Sequence, residues 1–288
     1  MKNNIKLGAH VGTSSQPLLV DLFQKVGLKT IQVMLSNPRS FSYPHYEKTV
    51  EFLFFYRNLT REPLYVHSPY TVSLVKDPKE RQCKFTVDYA KTLFQCSQTS
   101  GTPISFVTHL GVIPEGMPSY VAYNNLMRNL VNMYHFLGET NDSNGDYNGK
   151  FKVLLENDSG TKGRSKINSA QGLYFIFKNN VVAQWFQKMG WLGICFDTNH
   201  AYGSGFDRKK WLDFLDISDV LHFNPIPKDT KLGSHKDLHS TFLLKTSKEV
   251  KLLKRLVEQA RKTDKALILE NTGEYVLKNL NTILGWEL

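Results

Sequence analysis

Six short apolar runs of this chain stop at or next to a histidine or a carboxylate: His67, His109, Glu156, Asp197, His222 and Glu270. Imidazole and carboxylate bind divalent cations through nitrogen and oxygen, and they also move protons near neutral pH. A polar group at the end of a buried run is costly unless a metal or a hydrogen-bond network satisfies it. The stretch Gly193–His200 (GICFDTNH) shows the design most plainly, with the run ending on Asp197 and His200 three residues later. One such histidine alone reads as an ordinary core or surface residue. Six in register on six successive runs do not. Carboxylates brought to one place repel unless cations sit among them, so the pattern points to a multinuclear metal site.

The elements that must position these residues can be read from the runs themselves. Eight apolar segments alternate with helical patterns: Ile5–Val11, Thr30–Leu35, Leu64–Ser68, Ile104–Leu110, Lys152–Asn157, Gly193–Thr198, Val220–Asn224 and Ala266–Asn271. The first helix is expected to open at Ser15-Gln16-Pro17, with Leu19, Leu22, Phe23 and Val26 as its apolar stripe. Further helices are expected over Thr49–Leu59, Lys79–Thr99, Tyr120–Leu137, Val181–Met189, Asp207–Ile217 and Ser247–Thr263. Strict alternation of strand and helix argues for a parallel sheet with right-handed crossovers. Eight units in 288 residues argue for an α/β fold of the TIM type, a closed (β/α)8 barrel forming a single domain over residues 1–288. An open doubly wound sheet is the alternative, but the first turn, HVGTSSQP, lacks GxGxxG. Residues 139–150 (ETNDSNGDYNGK) read as a flexible surface insertion.

In a TIM barrel the carboxyl ends of all strands meet on one face, where active sites are built. The six residues would converge there, joined by His200 and by Asp237 and His239 from the loop after the seventh strand. Five histidines and four carboxylates suffice for three cations. Nitrogen and oxygen donors without thiolate suit Zn²⁺, with Mn²⁺ or Fe²⁺ compatible by ligand type.

Composition sets the remaining bounds. Apolar content of 41% and charged content of 22% are ordinary for a globular protein. No stretch approaches the roughly 18–20 apolar residues of a membrane span, and the amino terminus runs straight into a strand pattern rather than a signal peptide. Cys83, Cys96 and Cys195 are few and lack CxxC spacing. They suggest reduced thiols in an intracellular compartment, cytoplasm or nucleoid/nucleus, and no secretion. A net charge of +10 and a pI near 9.3 favour polyanionic partners such as nucleic acid.

The motifs VHSPY (Val66–Tyr70), THLG (Thr108–Gly111), LLENDSG (Leu154–Gly160), FDTNHAYGSGFD (Phe196–Asp207), HFN (His222–Asn224), GSHKDLHS (Gly233–Ser240) and LEN (Leu269–Asn271), with GAHV (Gly8–Val11), resemble the endonuclease IV family of tri-zinc apurinic/apyrimidinic endonucleases. The resemblance covers essentially the whole chain. It implies a monomer with three zinc ions. One would be held by His67, His109 and Glu156, a second by Glu156 as a bridge with Asp197, His222 and Glu270, and the third by His200, Asp237 and His239. It also implies the activity: hydrolysis of double-stranded DNA 5′ to an abasic site, leaving a 3′ hydroxyl, and cleaning of blocked 3′ ends in base excision repair.

That chemistry can be argued independently of the resemblance. A hydroxide bridging two zinc ions supplies a nucleophile near neutral pH, because metal lowers the pKa of bound water to about 7. Metal ions also neutralise the phosphate and the leaving oxygen. Glu270 and the bridging Glu156 are the catalytic candidates, with Glu270 orienting or deprotonating the nucleophile. The family inserts side chains at the abasic position from the loops after strands two and three, and Arg39 and Tyr70 fall there. Lys162, Gly163 and Arg164 stand where a loop could cradle phosphates or simply be solvated. Pro225 replaces the family's usual Asp, and His235 stands where a basic residue is commoner. His10 matches no ligand, and His45 and His135 read as surface residues.

Two other readings compete. A divalent-metal sugar isomerase or epimerase on the same barrel would use strands five to eight but leave His200, Asp237 and His239 idle. A metal-stabilised DNA-binding protein without catalysis would be expected to use closed, Cys-rich sites.

Overall fold

Eight parallel strands close into a barrel in strict sequence order, β1-β2-β3-β4-β5-β6-β7-β8, with β1 also paired to β8. The computed structural model describes residues 5–13, 16–138, 150–160, 166–225, 231–234, 248–271 and 274–286. The strands are β1 (Lys6–His10), β2 (Thr30–Val33), β3 (Leu64–His67), β4 (Ile104–His109), β5 (Phe151–Glu156), β6 (Leu192–Asp197), β7 (Val220–His222) and β8 (Ala266–Leu269). The helices are α1 (Gln16–Asp21), α2 (Tyr46–Leu59), α3 (Arg81–Ser100), α4 (Ser119–Gly138), α5 (Ala170–Asn179), α6 (Val181–Lys188), α7 (Thr198–Gly203), α8 (Trp211–Ile217), α9 (Lys248–Lys262) and α10 (Glu274–Leu284). The expected (β/α)8 barrel is the fold observed.

Side chains alternate across a strand, and this alternation sorts the buried residues into two bodies. One parity packs outward against the helices and forms the large core, with Phe106, Val153, Phe196 and Leu267 among its members. The other parity points into the barrel and forms a separate small cluster of Tyr65, Val107, Leu154, Cys195, Val220, Ala266 and Ile268. All of these except Ala266 stand two positions before His67, His109, Glu156, Asp197, His222 and Glu270. The same alternation that fills the barrel floor therefore puts the six chemistry-bearing side chains above it, at the carboxyl mouth. Close approach across the floor also fixes Gly193, where an added Cβ would lie 2.0 Å from the Asp219 carboxylate that Lys152 contacts.

The helices differ from the sequence reading in four places. Beyond Asp21 the first helix widens into a π-turn over Leu22–Val26 and ends on Gly27 at φ 80°, a conformation that suits glycine. Two helices, α5 and α6, fill the space between β5 and β6 where one was expected, and Asn180 caps the second by accepting the N–H of Ala183 at 2.8 Å. The short α7 and the terminal α10 carry no separate expectation. Residues 139–149 of the expected insertion lie outside the described residues. No helix among the described residues is long and apolar enough to cross a membrane, and Cys83, Cys96 and Cys195 are buried free thiols.

Candidate metal centre

Glu156 stands at the middle of the mouth, fully buried, and divides its two carboxylate oxygens between two groups of imidazoles. Oε2 lies 3.1 Å from His67 Nε2 and 3.7 Å from His109 Nε2. Oε1 lies 3.2 Å from His222 Nδ1 and 3.3 Å from His200 Nδ1. Among the described residues the possible ligand atoms form a group of His67, His109 and Glu156 and a group of Glu156, Asp197, His222 and Glu270, each set within 4.8 Å. Cys195 approaches Glu156 and His222 from the floor beneath and makes a further group with them. Seven of the nine residues expected to hold cations are thus gathered at one rim. The other two, Asp237 and His239, lie outside the described residues, as do His235, Lys162, Gly163 and Arg164.

The hydrogen bonds around the two groups decide which ring nitrogens face inward. The far nitrogen of His67, Nδ1, donates to the Ser68 carbonyl at 2.7 Å. The far nitrogen of His222, Nε2, donates to Gln32 Oε1 at 2.7 Å. Each imidazole in its neutral form then turns a bare lone pair toward a carboxylate, an arrangement that repels unless a proton or a cation stands between. Donor–donor separations of 3.1–3.7 Å are close to the roughly 3.3 Å edge of a tetrahedron whose metal–ligand bonds are about 2.0–2.1 Å. The residues present therefore fit a divalent cation in each group.

The electrostatics say the same. Burial opposes a charge on Glu156, but His109, His222 and His200 outweigh it and hold its carboxyl well below the usual carboxylate range. Burial likewise opposes a charge on His222; Cys195, Glu270 and Glu156 prevail and raise it well above the usual imidazole value. His67 is raised for the same reason, burial being outweighed by Glu156 and Glu270. His109 goes the other way, lowered chiefly by burial. The site demands positive charge, and among the described residues histidine protons supply it when no cation is bound.

Two buried asparagines and a glutamine hold the carboxylate-bearing residues. Asn224 Nδ2 donates to Asp197 Oδ2 at 2.6 Å and to Glu270 Oε2 at 3.3 Å, while its Oδ1 accepts the Glu270 N–H at 3.2 Å. Asn157 ties β5 to β6, donating to the Asp197 carbonyl at 3.0 Å and accepting the Asp197 N–H at 2.8 Å. Pro225 is buried next to Asn224, and His222 donates its outer hydrogen bond to Gln32 Oε1. The sequence pattern does not single out Gln32; the signal available is a buried amide on the inward parity of β2. His10, set aside as a ligand, lies with Nδ1 3.1 Å from Gln32 Nε2.

Arg39 and Tyr70 both lie exposed on the rim, on loops that are pinned together. The Tyr70 N–H donates to the Pro38 carbonyl at 2.8 Å, and Thr71 Oγ1 donates to the Ser40 carbonyl at 2.9 Å. Tyr70 is 62% exposed, yet its ring centroid is only 6.2 Å from that of His67. Tyr70, Val72, Gln82, Val112 and Asp158 line a cavity of about 160 Å³ together with His109 of the candidate ligand set. His45 and His135 are exposed, as expected.

No family model matches the chain. Among curated relatives it is 25% identical over 252 residues to "Probable endonuclease 4" of Mycoplasmopsis synoviae, covering 82% of this chain and 81% of the relative. It is 25% identical over 188 residues to the protein of that name in Mycoplasma mycoides subsp. mycoides SC, covering 62% of this chain and 57% of the relative. The fold is similar to the crystal structure of endonuclease IV from Thermus thermophilus, with a TM-score of 0.69, 20% identity and 98% of both chains covered. A D-tagatose 3-epimerase-like protein has the same fold at a TM-score of 0.62 and 18% identity, covering 97% of this chain and 98% of its own.

Proposed function

We infer that this chain, a member of the endonuclease IV family, is a zinc-dependent endonuclease that hydrolyses duplex DNA 5′ to an abasic site and leaves a 3′ hydroxyl. The observation that carries this reading is the division of the Glu156 carboxylate between two imidazole-containing groups, which suits a bridge between two cations. Bound zinc would acidify water to a nucleophile near neutral pH and neutralise the phosphate. His67 and His109 would hold one ion with Glu156, while Asp197, His222 and Glu270 would hold a second with it. His200, with Asp237 and His239, would take a third. Three ions, cleaning of blocked 3′ ends, a monomeric state, a single barrel domain and an intracellular place in base excision repair belong to the same reading.

The chain's own residues define the remaining steps. Glu270 keeps one oxygen toward His222 and Gln32 and the other toward Asn224, so its carboxyl group is fixed in direction. It would orient or deprotonate the attacking water. Arg39 and Tyr70 would enter the helix at the missing base, and the +10 charge would attract the phosphate backbone.

The test is incubation of the purified chain with a duplex carrying one abasic analogue, before and after prolonged chelation, with metal per chain measured in parallel. Chelator-sensitive nicking immediately 5′ of the lesion, restored by zinc, is expected. Epimerisation of a free sugar without nicking would instead select the sugar-isomerase reading. The epimerase-like fold and the self-sufficient group Glu156, Asp197, His222 and Glu270 favour that second reading.

A further inference from the structure

Gln32 is fully buried on β2, a strand that supplies none of the expected metal ligands. Its side chain nevertheless touches three polar groups of the mouth. Oε1 accepts the Nε2–H of His222 at 2.7 Å. Nε2 donates to Glu270 Oε1 at 2.6 Å and contacts His10 Nδ1 at 3.1 Å. Both amide protons and one acceptor lone pair are thereby used, and the partners sit on β1, β7 and the end of β8. We propose that Gln32 is a positioning residue that sets the tautomer of His222 and aims Glu270, so that the second group of ligands is assembled before a cation arrives.

The site allows only one orientation of this amide. Reversing the carboxamide would set its oxygen 2.6 Å from the Glu270 carboxylate, two acceptors with no proton between them. Glu270 thus fixes the amide, and the amide fixes the imidazole. With its proton on Nε2, His222 presents Nδ1 as a bare lone pair 3.2 Å from both Glu156 Oε1 and Glu270 Oε1. The opposite tautomer would put a proton where the ligand atom must be and leave Gln32 Oε1 without a donor. Groups that orient ligands in this way typically change metal affinity by about 10–100-fold when removed. The same contact leaves His10 accepting at Nδ1 and holding its proton on Nε2.

This inference rests on the reading that the second group holds a cation, and its test separates the two. Long-range ¹H–¹⁵N spectra of the chelated, histidine-labelled parent, recorded at a pH high enough to leave this ring neutral, are expected to show His222 as the single Nε2–H tautomer. Zinc competition against a chromophoric chelator should then show Gln32→Met binding one cation about 10–100-fold more weakly than the parent, with the remaining cations unchanged. His222 should spread over both tautomers in Gln32→Met, which keeps the length of the side chain but removes the oxygen acceptor. A neutral parent His222 whose one ring proton sits on Nδ1, or Gln32→Met binding every cation at the parent's affinity, overturns the proposal. If Gln32→Met does not fold, the parent spectrum decides alone. If the parent binds no divalent cation, the metal reading fails, while the spectrum still reports on Gln32.

Discussion

Asp197 accepts the backbone N–H of His200 at 2.6 Å, so the carboxylate expected to bind a cation is also the N-cap of α7. One side chain closes β6, starts the next helix and thereby places His200 over Glu156. The two roles can be separated by substitution. Asn is as good an N-cap as Asp, whereas Ala loses the cap at a cost of about 1 kcal/mol. Asp197→Asn keeps the cap and loses only the bond from Asn224, so it is expected to lower the melting temperature of the chelated protein less than Asp197→Ala does, and to weaken zinc binding. Asp197→Ala should lower both. Calorimetry of the chelated variants beside zinc titration checks the split, and equal melting losses in the two variants would contradict it.

Glu156 supports a second prediction, because its two oxygens face different imidazoles. Glu156→Gln retains the shape but replaces one oxygen with an amide nitrogen that cannot bind a cation. Zinc per chain should fall by more than one equivalent, and nicking of abasic duplex should drop by more than the roughly 10–100-fold typical of outer groups. By contrast Glu270→Gln should lose rate while His67, His109 and Glu156 still hold their cation. Full rate at full metal content in Glu270→Gln would remove Glu270 from the catalytic role.

Much of this site was legible from the order of residue types alone. A strand has a period of two, so a ligand at a strand's end and the apolar residue two places earlier must share the barrel interior, as Cys195 and Asp197 or Tyr65 and His67 do. What was not legible depends on which strands become neighbours in space. Gln32 meets His222 across 190 positions of sequence. In the run TIQVML its amide looks like any polar residue of a strand. The six-residue α7 has no apolar stripe to announce it, since it is entirely buried and nucleated by Asp197 rather than by periodicity. Asp237 and His239, readable as D-x-H, lie outside the described residues, so a third cation rests on the sequence pattern and on His200.

The imidazole shifts give a prediction about pH. His67 and His222 are raised above the usual 6.5 in the folded chain. A group of this kind adds stability that is complete below its unfolded pKa and is lost as pH rises through the folded one. Glu156, held well below 4.5, adds stability above that value and loses it as pH falls through its folded pKa. His109, lowered by burial, offsets part of the histidine effect. The chelated protein is expected to melt at progressively lower temperature as pH is raised from about 6.5 upward. Zinc competes with those same protons, so the stabilisation it adds should grow over that range. The measurement is melting temperature against pH with and without zinc; a gap that narrows with rising pH would contradict the assignment of these histidines as ligands.

Tyr70 and Arg39 stand apart from the metal chemistry and should be separable from it. Both side chains are exposed, and the backbone that carries them is fixed by the Tyr70-to-Pro38 and Thr71-to-Ser40 hydrogen bonds rather than by the side chains. Truncation to alanine should therefore leave folding and zinc content unchanged. Stacking of a base on an aromatic side chain is worth about 1–3 kcal/mol by alanine substitution, a factor of roughly 5–150 in affinity. Tyr70→Ala is expected to lose that much in binding abasic duplex, and Arg39→Ala less, with a shallower dependence on salt because a phosphate contact is removed. For both, a small chromogenic phosphodiester with no helix to distort should be cleaved at the parent's rate. Equal losses on that ester and on abasic duplex would mean that these residues support the metal centre rather than grip the DNA.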